Sequence, residues 1–316
     1  MKILITGAAG FIGFSLARKL CENSQNLVYG IDSLNNYYSI KLKIKRLNIL
    51  KKKKNFFFNK LNIAHNNKLK DFFINNKQFD YIFHFAAQAG VRYSYNEPAE
   101  SVSSNVYGFL NLLENSIKLK PKKIFYASSS SVYGDLKRFP INENNRLSPK
   151  NIYGVSKKLN EKIASFYEKT HGLKLVGLRF FTVYGPWGRP DMFCFKLFKA
   201  MLEKKFFYLF NHGKHERDFT YIDDVILILE KLIKKNKLEH SIYNICSNNP
   251  ANIEKIINKS AVRIKYKPLN FYETLKTHGD NKRILDEVGN HIFTKIDQGI
   301  IKTWEWYKEY KINLIT

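Results

Sequence analysis

A glycine-rich turn near the start of the chain constrains the fold more than any other feature of this sequence. Gly7, Gly10 and Gly13 stand between a β-rich apolar run at residues 2–6 and a stretch with helical spacing of apolar residues at 7–20. Glycines at such a junction permit a tight turn, let backbone amides approach a pyrophosphate, and allow the helix to pack on the strand. The pattern predicts a strand, a turn and a helix that together bind a dinucleotide.

A carboxylate follows at the spacing that a ribose-binding acid needs. Asp32 ends the next strand-like run, about 20 residues after the glycines, where a carboxylate accepts the hydroxyls of an adenosine ribose. The same charge would repel a 2′-phosphate, and no arginine follows it directly. We therefore expect NAD, rather than NADP, as the cofactor.

Strand-like and helix-like segments alternate up to Phe181 and predict the fold class. Strands are predicted at 2–6, 26–32, 56–63, 79–87, 122–129 and 174–181, and helices at 7–20, 40–54, 102–118 and 153–171. Such alternation is typical of an α/β protein of the Rossmann type, with a doubly wound parallel sheet and ligands at the carboxyl ends of its strands. We expect an NAD-binding domain at 1–178, joined by 219–245, and a smaller, interleaved substrate lobe at 179–218 and 246–316.

The chain is strongly basic, with 53 Lys and Arg against 27 Asp and Glu and a formal net charge of +26. Its lysines are concentrated in helix-like or loop segments such as 41–54 and 231–237, without the interleaved arginines and aromatic residues that base recognition needs. We interpret the excess as a solvated surface and expect no specific nucleic-acid partner. A non-enzymatic protein that binds polyanions is the least favoured alternative.

Cysteine usage and hydropathy predict the compartment. Cys21, Cys194 and Cys246 have no paired spacing, which indicates a reducing compartment and argues against disulfides or a zinc site. No apolar run approaches the roughly 20 residues that span a bilayer, and no apolar leader precedes the first strand. We expect a cytoplasmic protein with neither a bound metal nor a membrane partner.

Two residues four apart in YGVSK predict the chemistry. Tyr153 and Lys157 lie at the start of a predicted helix and therefore share one face. A free phenol has a pKa near 10 and is a poor base at neutral pH, but an ammonium and a positive nicotinamide ring close by would lower that pKa by about 3. Such a phenolate removes a hydroxyl proton while hydride leaves the same carbon.

With these residues in view, the chain resembles the extended short-chain dehydrogenase/reductase family of nucleotide-sugar epimerases, and most closely the UDP-glucuronate 4-epimerases. The motifs that carry the resemblance are GAAGFIG (7–13), GIDSLNNYY (30–38), HFAAQAGVRYS (84–94), YASSSSVYG (126–134), YGVSKKLNE (153–161), LRFFTVYGPWGRPDM (178–192) and NHGKHERDFTYIDD (211–224). The resemblance implies that bound NAD oxidises C4 of a UDP-sugar to a ketone, that the keto sugar turns over, and that hydride returns to its opposite face. Uronic-acid sugars usually supply surface polysaccharides.

The same resemblance implies a role for each motif residue. Tyr153 is the general base for the sugar 4-hydroxyl, Lys157 tunes it and holds the nicotinamide ribose, and Ser129 is its hydroxyl partner. The implied cofactor contacts are Gly7, Gly10, Phe11, Ile12, Gly13, Asp32, Asn35, Asn62, Ile63, Ala86, Ala87, Gln88, Asn105, Tyr153 and Lys157. The implied substrate contacts are Ser130, Ser131, Thr182, Arg189, Arg217 and Arg92.

The implied substrate contacts divide by the part of the UDP-sugar that they meet. Arg217 pairs with the pyrophosphate, a role that suits a guanidinium fork. Ser130, Ser131 and Thr182 supply neutral hydroxyls to a uronate carboxylate, with Arg189 nearby. Arg92 contacts either the substrate or only a neighbouring carboxylate, and the apolar surroundings of His84 favour a core histidine.

Related activities are distinguished by the residues before Val-Tyr-Gly. In sugar-nucleotide 4,6-dehydratases and UDP-glucuronate decarboxylases, a glutamate or an Asp-Glu pair stands where this chain has Ser130 and Ser131. The missing acid disfavours both activities. UDP-glucose or UDP-N-acetylhexosamine 4-epimerase remains the closer alternative.

The chain also departs from the family pattern. Asn62 stands where relatives carry an aspartate, although its amide can still meet the adenine edge. The segment 254–267 is shorter than usual, and Leu269, Asn270 and Thr277 replace residues that shape the nucleotide-facing wall. These departures bear on UDP affinity more than on the chemistry. The resemblance further implies a homodimer that forms through the helices at 102–118 and 153–171.

Overall fold

The computed structural model describes residues 1–268 and 273–315, except for the side chains of 311–315. Its strands are β1 (Lys2–Thr6), β2 (Leu27–Asp32), β3 (Phe56–Lys60), β4 (Tyr81–His84), β5 (Lys123–Ser129), β6 (Leu175–Phe180), β7 (Thr182–Tyr184), β8 (Phe207–Phe210), β9 (Glu216–Tyr221), β10 (Ile242–Ile245), β11 (Pro250–Asn252) and β12 (Ile264–Lys267). Its α-helices are α1 (Phe11–Leu20), α2 (Ile40–Lys51), α3 (Asn66–Asn75), α4 (Val91–Asn96), α5 (Pro98–Val102), α6 (Gly108–Ser116), α7 (Ile152–His171), α8 (Phe193–Leu202), α9 (Ile222–Lys234), α10 (Ile253–Asn258), α11 (Lys282–Val288) and α12 (Ile296–Ile315).

The large sheet is parallel and has the strand order β10-β6-β5-β4-β1-β2-β3. Strands β4, β5 and β6 are buried almost throughout, because helices cover both faces of the sheet. The chain reverses its direction of travel across the sheet between β1 and β4, and such a switch opens a crevice at the carboxyl ends of the strands. The predicted α/β fold of the Rossmann type is confirmed.

Two apolar cores hold the helices on this sheet. On one face α1, α2, α9 and α11 contribute side chains such as Phe14, Leu47 and Leu229. On the other face α3, α6 and α7 contribute residues such as Phe72 and Phe109. Burial on both faces explains why the central strands consist of nearly continuous apolar runs.

The smaller lobe begins after β6. It contains the three-stranded sheet β11-β9-β7, the parallel pair β12-β8, and a core in which Phe195 and Phe198 of α8 pack on Tyr307 of α12. The chain returns to the large sheet through α9 and β10, and α11 packs against these two elements. The lobes are therefore interleaved, while the boundaries at 178, 219 and 245 stay a prediction.

Local differences from the sequence-based expectations occur near the carboxyl edge of the sheet. The strands predicted at 56–63 and 79–87 end earlier, at Lys60 and His84, because the following residues leave the strand ladder and line the crevice. The helix predicted at 102–118 is divided into the end of α5, a π-helical segment at Ser103–Tyr107, and α6. Helices α3 and α4 lie where no helix was predicted. Among the described residues, no helix is both long and apolar enough to cross a bilayer.

Candidate active site

A cavity of about 700 Å³ lies between the lobes at the carboxyl edge of the large sheet. Every predicted cofactor and substrate residue except Asn105 lines it. Asn105 is fully buried behind the wall, where its Oδ1 accepts from the Gln88 amide at 2.7 Å and its Nδ2 donates to Ser156 at 3.0 Å. Tertiary structure thus brings the predicted residues together, and Asn105 supports two cavity residues from behind, Gln88 directly and Tyr153 through Ser156.

The glycine turn has no room for side chains. Gly7 has a φ of +74°, and a Cβ on it would lie 2.7 Å from the backbone nitrogen of Ala86. A Cβ on Gly13 would lie 2.2 Å from the carbonyl oxygen of Gly7. The turn can therefore approach a ligand closely at the start of α1, where free amides and the helix dipole favour a phosphate. This cradle fits a dinucleotide.

The carboxylate of Asp32 is oriented by two backbone amides. The Ala9 amide donates to its Oδ2 at 3.0 Å and the Leu34 amide to its Oδ1 at 2.8 Å. A carboxylate accepts more than two hydrogen bonds, so Asp32 retains capacity for ribose hydroxyls. Asn35 lies nearby and donates from Nδ2 to Oε1 of Gln88 at 2.9 Å.

Two basic residues of α2 are buried, which corrects the interpretation of residues 41–54 as a solvated surface. Lys43 donates to the carbonyl oxygen and to Oδ1 of Asn35, at 2.7 and 2.6 Å, and lines the cavity. Burial lowers the pKa of its ammonium, and the nearby Asp32 carboxylate opposes this effect. Arg46 is fully buried and donates to backbone carbonyls. The spacing of basic residues along a helix does not show which of them meet buried carbonyl acceptors. The sequence analysis therefore missed both residues.

Tyr153 and Lys157 lie in the first turns of α7, which begins after an Asn151 side chain that accepts from the Gly154 amide at 2.8 Å. Lys157 is 1% exposed, and burial lowers the pKa of its ammonium to about 8. Its Nζ lies 5.8 Å from the ring centre of Tyr153. The predicted shared face is therefore present.

Burial raises the pKa of the Tyr153 phenol, and the Arg189 guanidinium and a hydrogen bond with Ser129 act in the opposite direction. Without the cofactor, desolvation of the phenolate outweighs the protein cations around it. The expected lowering of the pKa included a positive nicotinamide ring, which would add to the stabilisation of the phenolate. The predicted partnership of Ser129 with the phenol is present.

The serines of the run at 128–131 point to different partners. Ser128 donates to Oε1 of Glu161 at 2.6 Å, and Glu161 also binds the buried Arg179 at 2.8 Å. Ser130 and Ser131 are partly exposed to the cavity. The run therefore turns one hydroxyl into the protein and presents neutral hydroxyls to a ligand.

Arg189 is held by a carboxylate of its own loop. Its Nε and Nη2 donate to Asp191 at 3.0 and 2.7 Å, and Tyr37 also donates to Asp191 at 3.0 Å. These contacts hold the pKa of the Asp191 carboxyl below its usual range, even though burial acts in the opposite direction. Within the described part of the chain these contacts use Nε and Nη2, so Nη1 can donate to a ligand.

At the other end of the cavity Arg92 meets a carboxylate, one of the two alternatives that the sequence left open. Its Nε donates to Oε1 of Glu273 at 2.7 Å, and its guanidinium lies 4.6 Å from the ring centre of Phe210. Arg217 donates to the carbonyl oxygen of Leu275 at 2.9 Å, and burial lowers its pKa to about 10. This end of the cavity is cationic and suits a pyrophosphate.

The cavity wall contains further residues that the sequence analysis named, and two that it missed. Asn62 uses Oδ1 to accept from the Ala64 amide at 3.0 Å, which leaves its Nδ2 for a ligand. Thr277 accepts from the Asp218 amide through Oγ1 at 3.1 Å, and the altered positions Leu269 and Asn270 lie outside the described residues. Glu273 and Lys196 also line the cavity, but they belong to no recognisable motif. They are found only when the folded chain brings distant segments together.

His84 is a core residue, as its apolar surroundings indicate. Its Nδ1 lies 2.9 Å from Oγ1 of Thr6, and its ring stacks on Phe109. Burial lowers its pKa to about 3, so the imidazole is neutral at physiological pH. Within the described ranges, no three His, Cys, Asp or Glu side chains are grouped as metal ligands.

Residues 3–246 match the NAD dependent epimerase/dehydratase family. The chain belongs to this family. UDP-glucuronate 4-epimerase 2 of Arabidopsis thaliana is 35% identical over 98% of this chain and 76% of its own length. These findings confirm the family resemblance inferred from the motifs, and NAD as the cofactor of the family.

Solved structures of family members have the same fold. UDP-glucuronic acid 4-epimerase from Bacillus cereus, in complex with UDP-glucuronic acid and NAD, matches with a TM-score of 0.91 at 30% identity, over 98% of this chain and 100% of that one. UDP-glucose 4-epimerase from Thermotoga maritima, with UDP-glucose, matches with a TM-score of 0.89 at 28% identity, over 98% and 100% of the two chains. The comparison therefore supports 4-epimerisation of a UDP-sugar.

Proposed function

We propose that this protein is an NAD-dependent 4-epimerase that interconverts UDP-glucuronate and UDP-galacturonate. The observation that carries the proposal is the grouping of Tyr153, Arg189 and the neutral hydroxyls of Ser130 and Ser131 in one cavity. The base serves C4 chemistry, and the hydroxyls and the guanidinium suit a carboxylate on the sugar. Relatives named as UDP-glucuronate 4-epimerases support this substrate.

The glycine turn and Asp32 would hold the cofactor. The turn takes the pyrophosphate at the start of α1, and the Asp32 carboxylate accepts ribose hydroxyls and repels a 2′-phosphate. Lys157 would donate to the nicotinamide ribose from the floor of the cavity. Bound NAD supplies a hydride acceptor at C4 and returns the hydride, so the reaction has no net redox change.

Tyr153 would handle the proton of the 4-hydroxyl. Its phenolate takes this proton as hydride leaves C4, and the phenol gives the proton back when the ketone is reduced from its opposite face. The Ser129 hydroxyl, already hydrogen-bonded with the phenol, holds the phenol oxygen in place. The buried Lys157 and Arg189 add positive charge near the phenolate.

The serine run would protect the keto intermediate from losing its carboxyl group. A 4-keto uronate is a β-keto acid, so an epimerase has to hold the carboxylate without protonating the carbanion that CO2 loss would leave. Ser130, Ser131 and Thr182 would donate neutral hydrogen bonds, and Arg189 would supply the charge. A glutamate at a serine position would add an acid and repel the carboxylate.

Arg217 and Arg92 would bind the UDP pyrophosphate. Both guanidinium groups line the cavity, and Glu273, which also lines it, is the partner of Arg92. A pyrophosphate competes with Glu273 for Arg92, whereas Arg217 has only backbone carbonyl acceptors among the described residues. Arg217 is therefore the stronger anchor for the nucleotide.

A homodimer is part of the proposal. One side of α7 exposes Ile152, Val155, Leu159 and Phe166, with exposed fractions of 38%, 46%, 44% and 59%. Exposed apolar residues at helical spacing are typical of an interface. This apolar stripe supports a dimer through α7 and the neighbouring α6.

A cytoplasmic location and a role in surface polysaccharide synthesis complete the proposal. Cys21, Cys194 and Cys246 are all buried and unpaired, which fits a reducing compartment. A UDP-galacturonate product would serve as a precursor for uronic-acid polymers.

The experiment is a product assay with purified protein, NAD and UDP-glucuronate. We expect UDP-galacturonate to form, with no net NADH and no CO2. Conversion of UDP-glucose to UDP-galactose with UDP-glucuronate unchanged would favour the alternative hexose epimerase. Release of CO2 would instead indicate a decarboxylase, and no turnover of either sugar would contradict an epimerase function.

A further inference from the structure

A buried arginine of α2 joins the cofactor side of the cavity to the loop that carries Arg189. Arg46 is fully buried, and its Nη1 donates to the carbonyl oxygen of Ala9, in the glycine turn, at 2.8 Å. Its Nη2 donates to the carbonyl oxygens of Trp187 and Gly188, the latter at 3.0 Å. One guanidinium thus connects the glycine turn with the loop at 185–192, and it anchors the base of that loop.

Tyr37, which precedes α2, contacts the same loop at Asp191. The hydroxyl of Tyr37 donates to Oδ2 of Asp191 at 3.0 Å, across 154 residues of sequence. Asp191 binds Arg189 through both carboxylate oxygens, at 3.0 and 2.7 Å. The side chains of Tyr37, Asp191 and Arg189 therefore form a chain of hydrogen bonds along the wall of the cavity.

The phenol of Tyr37 is confined in its position. A Cβ on Gly90 would lie 2.3 Å from the Tyr37 hydroxyl oxygen, so the backbone at Gly90 lies close against the end of this side chain. On another side the ring meets Tyr93 in an edge-to-face contact with centres 4.9 Å apart. Packing on these sides fixes the direction of the hydroxyl toward Asp191.

We propose that Tyr37 is a positioning residue for the recognition of the uronate carboxylate. Its hydroxyl orients Asp191, and Asp191 holds the Nε and Nη2 groups of Arg189. These contacts fix the guanidinium plane and leave Nη1 for the uronate carboxylate. A guanidinium binds a carboxylate well only when its plane is fixed, because each N–H must point at a carboxylate oxygen. The inference rests on the proposed function, since it takes a uronate as the ligand of Arg189.

The test measures ligand binding to the NAD-loaded protein by titration calorimetry. Tyr37→Phe removes one hydroxyl and keeps the ring. We expect the affinity for UDP-glucuronate to fall about tenfold, the loss of one charge-assisted hydrogen bond, while the affinities for UDP and for NAD stay unchanged. A purely structural effect would weaken all three ligands together.

Two further variants serve as controls. Tyr29→Phe removes a hydroxyl from a tyrosine of β2 whose ring packs on Phe57 and Phe79, and it should leave all three affinities unchanged. In an Asp191→Asn background, Tyr37→Phe should cost less than about twofold, because two residues that act through one contact are not additive.

The outcomes separate the inference from the proposed function. Wild-type protein that binds UDP-glucuronate no more tightly than UDP-glucose would overturn the proposed function and the inference with it. Wild-type protein that prefers UDP-glucuronate, with no loss in Tyr37→Phe, overturns the inference alone. The inference alone is also overturned if Tyr37→Phe loses affinity equally for UDP and UDP-glucuronate, or if its effect is fully additive with that of Asp191→Asn.

Discussion

The ammonium of Lys157 lies 5.8 Å from the ring centre of Tyr153, one turn of α7 away, and has almost no contact with solvent. Neither side chain is placed there for stability, since burial disfavours the charged form of each. Neighbouring buried groups whose charged forms are both disfavoured are typical of a catalytic site. The pair therefore yields the most direct tests of the proposed mechanism.

Removal of the phenol hydroxyl should abolish the reaction. We expect Tyr153→Phe to lower kcat about a thousandfold, because the phenol is the group that the proposed mechanism uses to take the proton of the 4-hydroxyl. Bound NAD should remain, as measured by its release on denaturation and chromatography. Retention of substantial epimerase activity would show that another residue is the base.

Neutralisation of the buried ammonium should separate stability from activity. We expect Lys157→Met to be inactive yet more stable than wild type at pH 7, by about 2 kcal/mol, because the variant no longer buries a charge. The Lys157 pKa is about 8 in the folded protein and 10.5 as its reference value. The penalty is therefore complete below pH 8 and disappears as the pH rises toward 10.5.

Urea unfolding from pH 7 to pH 10.5 measures this effect. The gap in the free energy of unfolding between Lys157→Met and wild type should narrow as the pH rises. A gap that stays constant over this range would mean that the variant gains stability by packing alone.

An acid at the serine run should impair the reaction. In Ser131→Glu we expect UDP-glucuronate turnover to fall about a hundredfold, since a carboxylate facing the uronate costs a few kcal/mol in a cavity of low dielectric. Ser131→Ala, which loses only a neutral hydrogen bond, should fall about tenfold or less. Product analysis by chromatography checks both variants, and unchanged epimerisation in Ser131→Glu would mean that the run is only a strand end.

The guanidinium of Arg217 should control nucleotide binding more than chemistry. We expect Arg217→Met to raise KM for the UDP-sugar about a hundredfold with a small change in kcat, because the pyrophosphate contact is the same before and during reaction. Arg217→Lys should recover part of this loss, since it keeps the charge without the fork. Steady-state kinetics test this prediction. A loss confined to kcat would contradict the role of Arg217 in pyrophosphate binding.

The apolar stripe of α7 should hold the dimer. We expect Leu159→Lys to shift the protein toward monomer, because a buried ammonium has no partner in an apolar interface. Ile292→Lys is the matched control, since Ile292 is 95% exposed and lies far from the stripe in sequence. Sedimentation velocity reports the change, and a wild-type monomer would overturn the proposed dimer.

Local patterns predicted the chemistry well. The glycine turn, Asp32 and the spacing of Tyr153 and Lys157 are each contained within a few consecutive residues or one βαβ unit, so their geometry follows from backbone rules. The same rules did not predict where β3 and β4 end at the carboxyl edge of the sheet, since both strands stop three residues before the predicted ends. Helix α2 was misjudged because its lysine spacing contains no information about buried carbonyl partners at Ala9 and Gly188.

The sequence by itself determined the fold class and the cofactor, and it placed Tyr153 and Lys157 on one helix face. Hydrophobic period, glycine geometry and i, i+4 spacing all act over short range. Only the tertiary structure decided how distant side chains pair around the cavity. Tyr37 meets Asp191 across 154 residues, and Arg92 meets Glu273 across 181. Such contacts depend on how two lobes pack against each other, and no local pattern encodes a distance between segments that the chain brings together only when it folds.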